Sequence, residues 1–379
     1  MPEGPEVATI VRALDSQLRG RKIVAAENFV PWELLLEPDS HGRITEITDA
    51  QILEVKRVGK TIVLVLGNGL HFLVHLLMTG QLLYGDAVES PYLRWCLLLD
   101  NGERLCLADK RKWVRARILS ADEFRTDRRL HSLGVDVLSD EFTLAAFMEI
   151  LRSTRRKAHV VLLDQKRISG LGNIYVNEAL FCAAIDPRTP ANAIPAGKAH
   201  ALYWAIYYIV REAYRRNGTT FSDYRTPDGK RGRYQECLRV FRRKGKPCVH
   251  CGAPITTLKI GGRGAYVCPH DQLGEPLLDA KRVDVHDTKG QWAPRLYVLP
   301  NGNEDAAHTI AQNVPFVGFA ETKSAVGEIL ARGDDAILAA NEKSIADLRT
   351  LYPLSVISVD GWEAAVEIIY RERCACPAS

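Results

Sequence analysis

Met1-Pro2-Glu3-Gly4-Pro5-Glu6 opens the chain, and the reading of everything after it turns on these six residues. Removal of the initiator methionine, which the small Pro2 permits, leaves a secondary amine next to a carboxylate. An α-amino group has a pKa of roughly 8, so about a tenth of it is neutral at pH 7, against fewer than about one in a thousand lysine side chains. Such an amine attacks without first being buried or set beside another cation. A plainer reading stays open at this point: many chains begin Met-Pro, Pro5 suits the first position of a helix, and Glu6 in its first turn offsets the helix dipole.

Outward from this start, Val7, Ile10, Val11, Leu14 and Leu18 recur at helical spacing and Gly20 follows as a stop, which predicts an amphipathic helix over 5–18. Strand-like runs come next, around 22–30, 51–57, 61–66, 70–77, 93–99 and 104–108. Asn68-Gly69 and Asn101-Gly102 sit between such runs, and Asn-Gly in that position signals a hairpin. Residues 1–130 therefore read as an antiparallel β-sandwich with the helix packed on it. Helical periodicity takes over at 143–152, 159–165, 173–182 and 196–216. Between two of these lies Lys166-Arg167-Ile168-Ser169-Gly170-Leu171-Gly172-Asn173, a glycine-rich turn entering a helix. Its free backbone N–H groups suit a phosphate, although ordinary turn chemistry gives the same sequence.

Residues 217–247 are polar, glycine-containing and basic, and read as a mobile loop leading into a ribbon. The ribbon carries Cys248-Val249-His250-Cys251 and, after sixteen intervening residues, Cys268-Pro269-His270-Asp271-Gln272. Two C-x2-C knuckles would make a four-thiolate zinc site; here Asp271 stands at the fourth position with His270 just before it. Three cysteines completed by His270 or Asp271 are expected to hold one structural Zn2+, the alternative being a ribbon held by packing alone. The other six of the nine cysteines, Cys374 and Cys376 among them, show no metal spacing and no secreted framework. From about 290 strand-like runs at 295–299, 314–320, 336–340 and 354–359 alternate with helical stretches near 304–312, 323–332, 343–351 and 361–373. That is an α/β pattern with a parallel sheet and no catalytic cluster, which fits a structural or partner-binding role.

The net charge of +4 over 379 residues is unevenly spread: residues 290–379 hold 7 Lys+Arg and 12 Asp+Glu, those before them 43 and 34. A basic body with an acidic appendage fits a polyanion partner, and equally a solvated basic surface. No apolar run reaches membrane-spanning length, and the acidic start lacks signal-peptide features, so a cytoplasmic protein is expected.

Several separate motifs now agree in order: PEGPE at 2–6, Lys60 in RVGKTIVLVL, HLLMTG at 75–80, DKRKW at 109–113, LLDQKRISGLGNIYVNEALF at 162–181, the NGTTFSDY…DGKRGRY loop, and a finger with Arg263 ahead of Cys268. In these the chain resembles the formamidopyrimidine-DNA glycosylases, bifunctional base-excision enzymes that include the endonuclease VIII group. The resemblance runs from Pro2 to about Gln272 and implies a multi-domain α+β protein. Its parts would be a catalytic β-sandwich with a leading helix (1–130), a helix-two-turns-helix domain (131–240), a zinc-finger hairpin (241–275) and, outside the resemblance, the acidic α/β extension (290–379), with a possible protein partner for the last.

The resemblance also implies roles. Pro2 would attack C1′ of a flipped-out nucleotide, with Glu3 as the acid and Glu6 in support, while Lys60 and Arg263 assist strand cleavage and grip phosphates. Met78, Arg111 and Trp113 map to the residues that fill the hole in the duplex, although Met78 and Trp113 read by themselves as core packing. Lys166, Asn173 and Arg155 are phosphate candidates, and Arg94 falls in Tyr92-Leu93-Arg94 where the family carries His-Asp-His at a DNA contact. Trp113 replaces the usual phenylalanine and Asp271 a cysteine. The implied partner is duplex DNA with oxidised bases or abasic sites, bound by a monomer. HLLMTG and the long 217–235 loop favour oxidised purines; PEGPE points to the oxidised-pyrimidine enzymes, and a non-catalytic lesion-binding protein is a third reading.

Overall fold

The computed structural model describes residues 2–275 and, beyond them, the backbone of four strands, Leu296–Val298, Val317–Phe319, Ala336–Leu338 and Val356–Ser358. The chain divides into two units, the first made of Met1–Ser139, Asp164–Gly172 and Val210–Glu236, the second of Asp140–Leu163, Asn173–Ile209 and Cys237–Ser379.

The first unit begins with helix α1 (Gly4–Leu18), as its apolar spacing predicts. Val7, Ile10, Leu14 and Leu18 are buried, each contributing roughly 1.5–3 kcal/mol by leaving water. Eight strands follow: β1 (Ile23–Asn28), β2 (Ile52–Val58), β3 (Thr61–Leu66), β4 (Leu70–His75), β5 (Gly80–Gly85), β6 (Leu93–Leu99), β7 (Arg104–Asp109) and β8 (Arg115–Ser120). They form two antiparallel four-stranded sheets, in the orders β1-β6-β7-β5 and β2-β3-β4-β8. Both sheets face one core, where Ile23, Leu97 and Leu105 join Ile52, Ile62 and Leu64 and the rings of Phe72 and Trp95 stand 5.4 Å apart. The two Asn-Gly turns close β3–β4 and β6–β7: Asn68 Oδ1 accepts from Leu70 N and Asn101 Oδ1 from Glu103 N, while both glycines take positive φ.

Two of these eight strands went unread in the sequence. β5 starts on a glycine, and β8 alternates Arg115 and Arg117 outward with Ala116 and Ile118 inward over too short a run to stand out. Cys96 and Cys106, to which the spacing assigned nothing, lie directly opposite on β6 and β7 and form a disulfide. Only the strand register makes them neighbours.

Two short helices, α2 (Ala121–Thr126) and α3 (Arg128–His131), bring Phe124 and Leu130 onto the outer face of β3, β4 and β8 at Val63, Leu73 and Leu119. The parallel pair β9 (Val135–Asp136) and β10 (Ile168–Ser169) then ties the glycine-rich turn into this unit.

In the second unit run helices α4 (Leu144–Arg152), α5 (Ala158–Leu162), α6 (Asn173–Cys182) and α7 (Ala196–Arg215), the last turns of α7 counting with the first unit. Helix α6 is buried from Ile174 to Cys182. Its Glu178 accepts the backbone N–H groups of Arg239, Val240 and Phe241 at 2.8–3.0 Å, which anchors the chain entering the ribbon. The ribbon is a hairpin, β11 (Thr256–Ile260) with β12 (Arg263–Val267), turning on Gly261-Gly262, both at positive φ as a two-residue hairpin turn requires. A one-turn helix, α8 (Pro269–Leu273), closes the finger.

Beyond residue 275 the strands pair in parallel, Leu296–Val298 with Val317–Phe319 and Ala336–Leu338 with Val356–Ser358. The helices expected there, and Cys374 and Cys376, lie outside the described residues. Among the described residues no helix is long and apolar enough to cross a membrane.

Candidate active site

Within the first unit three segments converge on the start of α1. Glu3 is the N-cap of the helix, and its N–H donates to Glu6 Oε2 at 2.8 Å, so the acid in the first turn reaches back over the cap. Gly4 N donates to Gly170 O at 2.8 Å, which lays the glycine-rich turn along the N-terminus. Gly172 lets that turn come close, since a Cβ there would lie 2.2 Å from Cδ of Glu3. From the third segment, the loop after α7, Thr219 N donates to Glu6 Oε1 at 2.7 Å; Gly218, at φ +79°, packs on the same side chain. Tyr224 of this loop donates to Asn217 O, and burial, with Glu6 next, pushes its phenol well above the ordinary range. Pro2, Glu3 and Glu6 are all buried, the two acids at 3% and 1% exposure.

Lys60, at the turn from β2 to β3, is 9% exposed and donates from Nζ to Leu171 O. Lys60 and Glu3 thus rest on consecutive residues, Leu171 and Gly172. Gln165, which sequence reasoning passed over, steadies this turn by accepting from Gly170 N and donating to Leu171 O. A cavity of about 400 Å³ beside Lys60 is lined by His75, Arg115, Arg117 and Arg129, with Glu37 paired to the last two. Burial, and then Lys60, hold His75 below its ordinary pKa, and its Nδ1 accepts from Leu77 N, which leaves the proton on Nε2.

Met78, Arg111 and Trp113 stand in water. Met78 is 44% and Trp113 51% exposed, so core packing is not their role, and the Arg111 guanidinium lies 4.9 Å over the Trp113 ring. Arg94, expected at a DNA contact, is 8% exposed; its Nε donates to Asp109 O at 2.9 Å and its Nη1 to Leu93 O at 3.3 Å. Lys166 is exposed.

The second unit holds the remaining candidates. Asn173, first residue of α6, donates to Gly264 O at 3.0 Å, and one turn on Asn177 Oδ1 accepts from Tyr266 N, so α6 fixes β12 and with it the exposed Arg263. His159 Nε2 meets Asn173 Oδ1 at 3.1 Å. Burial first of all lowers the pKa of this imidazole to about 4, against the hydrogen bond to Asn173, so it is neutral at pH 7. Arg155 is exposed on the turn before α5.

In the finger, ligand atoms of Cys248, Cys251, Cys268 and Asp271 lie within 4.8 Å of one another. Four sulfur and oxygen donors at that spacing fit a tetrahedral zinc, for which sulfur atoms stand about 3.8 Å apart. The Cys251 and Cys268 thiols drive the Cys248 thiol far above its ordinary pKa, the crowding that a dication would relieve. His270 stays outside the cluster, its Nδ1 at 3.0 Å from Asp271 Oδ1.

The β-sandwich with its capped N-terminal carboxylate pair and the helical unit that follows are matched by domain models of one class of enzyme, the DNA glycosylases. The formamidopyrimidine-DNA glycosylase N-terminal domain matches residues 1–116, its H2TH domain residues 133–225, and the zinc finger found in FPG and IleRS residues 245–273. The formamidopyrimidine-DNA glycosylase of Pelotomaculum thermopropionicum is 37% identical over 271 residues, 71% of this chain and 98% of that one; the enzyme of Chloroflexus aggregans is 36% identical over 275 residues, 72% and 99%. Among solved structures, the FPG protein of Thermus thermophilus aligns with a TM-score of 0.65 and 34% identity over 73% of this chain and 100% of its own. The Lactococcus lactis Fpg, complexed with DNA containing an oxidised pyrimidine, aligns with a TM-score of 0.64 and 29% identity over 72% and 99%. The chain belongs to the formamidopyrimidine-DNA glycosylase family.

Proposed function

We propose that this protein removes oxidised purines, 8-oxoguanine and formamidopyrimidines, from duplex DNA through a Schiff base on Pro2 and then cleaves the strand by β,δ-elimination. The observation that carries it is the buried Pro2-Glu3 start, held by Gly170, Gly172 and Glu6. With Met1 removed, the Pro2 nitrogen attacks C1′ as the bond from C1′ to the base breaks. Glu3 supplies a proton to the sugar oxygen or the departing base. The bond from C1′ to the protonated ring oxygen then opens to give the iminium, which acidifies the C2′ proton; loss of that proton expels the 3′ phosphate, and a second elimination expels the 5′ phosphate. Lys60, which like Glu3 packs against the glycine-rich turn, assists these steps, and Arg263 steadies a phosphate.

Met78, Arg111 and Trp113 fill the gap left by the flipped nucleotide: the two exposed apolar side chains wedge the stack and the guanidinium faces the widowed base. Lys60, Lys166, Asn173, Arg263 and Arg155 take phosphates. One zinc, held by Cys248, Cys251, Cys268 and Asp271 with His270 hydrogen-bonded behind the carboxylate, fixes the finger; native mass spectrometry counts it, and Asp271→Ala is expected to lose it.

Borohydride trapping on a duplex with one 8-oxoguanine opposite cytosine tests the reading. A covalent adduct that needs both the lesion and Pro2, absent in Pro2→Gly, is the expected result. Adducts on abasic sites and thymine glycol but not on 8-oxoguanine would assign the same chemistry to oxidised pyrimidines. No adduct on any of these, with Met1 shown by intact mass to be removed, would overturn the catalytic reading.

A further inference from the structure

Two exposed loops carry the wedge, Leu77-Met78-Thr79 between β4 and β5 and Lys110 to Val114 between β7 and β8. Each holds a non-glycine residue in the left-handed region: Leu77 at φ +49° next to Met78, and Lys112 at φ +58° between Arg111 and Trp113. Side chains with a Cβ resist that conformation, so it persists only where surrounding bonds over-determine it. Nor does burial hold Met78 and Trp113 in place, since both are largely in water. Something else must fix the two loops against each other.

We infer that Asp109 is that element, a positioning residue that holds both halves of the wedge for insertion. Asp109 ends β7 and is 1% exposed. Its Oδ1 accepts from Thr79 Oγ1 at 2.5 Å and from Arg111 N at 3.1 Å; its Oδ2 accepts from Trp113 N at 2.6 Å and Val114 N at 2.9 Å. One carboxylate therefore ties the residue after Met78 to the main chain of Arg111 and Trp113. Three of the four partners are main-chain N–H groups, which can only donate, and the fourth, the Thr79 hydroxyl, itself accepts from Arg111 N at 3.3 Å and turns its proton to the carboxylate. The main chain of Asp109 is fixed in turn, its N–H on Tyr92 O and its carbonyl under Arg94 Nε. Arg94 thus serves the wedge from behind. An asparagine at 109 fills the same volume, but its amide N–H groups would confront either the Arg111 N–H or those of Trp113 and Val114, donors that cannot accept in return, and the main chain on that side is released.

This inference rests on the reading of Met78, Arg111 and Trp113 as the wedge, and the test separates the two. Full-length Asp109→Asn, Thr79→Val, Thr79→Ser, Met78→Ala and Trp113→Ala are compared on two substrates: duplex 8-oxoguanine, which must be flipped, and a single-stranded abasic site, which needs no wedge. Flipping is followed by the fluorescence of 2-aminopurine placed beside the lesion. Asp109→Asn is expected to lose at least tenfold more rate on the duplex than on the single strand, with a matching loss of the fluorescence rise. Thr79→Val should show the same split more weakly and Thr79→Ser should restore it, so the question is answered even if Asp109→Asn fails to fold. If Met78→Ala and Trp113→Ala show the split but Asp109→Asn and Thr79→Val lose both activities equally, or neither, the positioning role is overturned and the wedge stands. If Met78→Ala and Trp113→Ala show no split, the wedge reading itself fails, and this inference with it.

Discussion

Gly172 shows how little freedom the site leaves a single residue. Its missing Cβ would sit 2.2 Å from Cδ of Glu3, a side chain boxed in at 3% exposure. Gly172→Ala should therefore push the acid off its position, lowering excision of 8-oxoguanine at least tenfold in single-turnover assays while binding of an abasic-site duplex changes little. The glycine was visible in the sequence as part of a turn suited to phosphate; that it makes room for a carboxylate 169 positions earlier was not. Asp109 and Gln165 are similar cases. Each stands inside a motif, DKRKW or LLDQKRIS, yet a side chain that faces inward to bond main chain leaves no mark that sets it apart from its exposed neighbours Lys110 and Lys166.

At the scale of elements, α6 does more than its position suggests. Its sequence, apolar nearly all round, fits a buried helix, and the structure turns three of its polar residues to use. Asn173 and Asn177 hold β12, while Glu178, with its pKa raised by burial against the pull of Arg239, gathers three backbone N–H groups leading into the ribbon. Glu178→Leu would strand those donors. A loss of about 3 kcal/mol or more is expected in urea unfolding, with the finger losing protection in amide exchange first. Elements with long periodic signals, α1, α4, α6 and α7, lie where the spacing puts them to within a residue or two. β5 and β8 were missed because β5 starts on a glycine and β8 carries two arginines in six residues, so pairing with β7 and β4 rather than their own pattern makes them strands.

At the scale of the whole molecule, stability should carry the imprint of His159. Its folded pKa, about 4, lies below the ordinary 6.5, so between these values the unfolded chain binds a proton that the folded chain refuses. Stability therefore falls as pH drops through that window, by up to about 3 kcal/mol at its lower end, and nothing of this term remains to be lost above pH 6.5. Urea midpoints at pH 7 and pH 4.5 check it: the wild-type drop should exceed that of His159→Gln. The sequence by itself determined the order of parts, the sandwich, the helices and the finger, because hydrophobic period, Asn-Gly turns and cysteine spacing are local properties. It also supplied the chemical identities at Pro2, Glu3 and Lys60. Tertiary structure alone decided which groups share a pocket: Glu3 with Gly172, Glu6 with Thr219, Cys96 with Cys106, Asp271 rather than His270 among the thiols, and Arg94 turned inward. The reason is physical. These contacts join residues far apart or on register-dependent faces, and a chain read one residue after another does not contain the register.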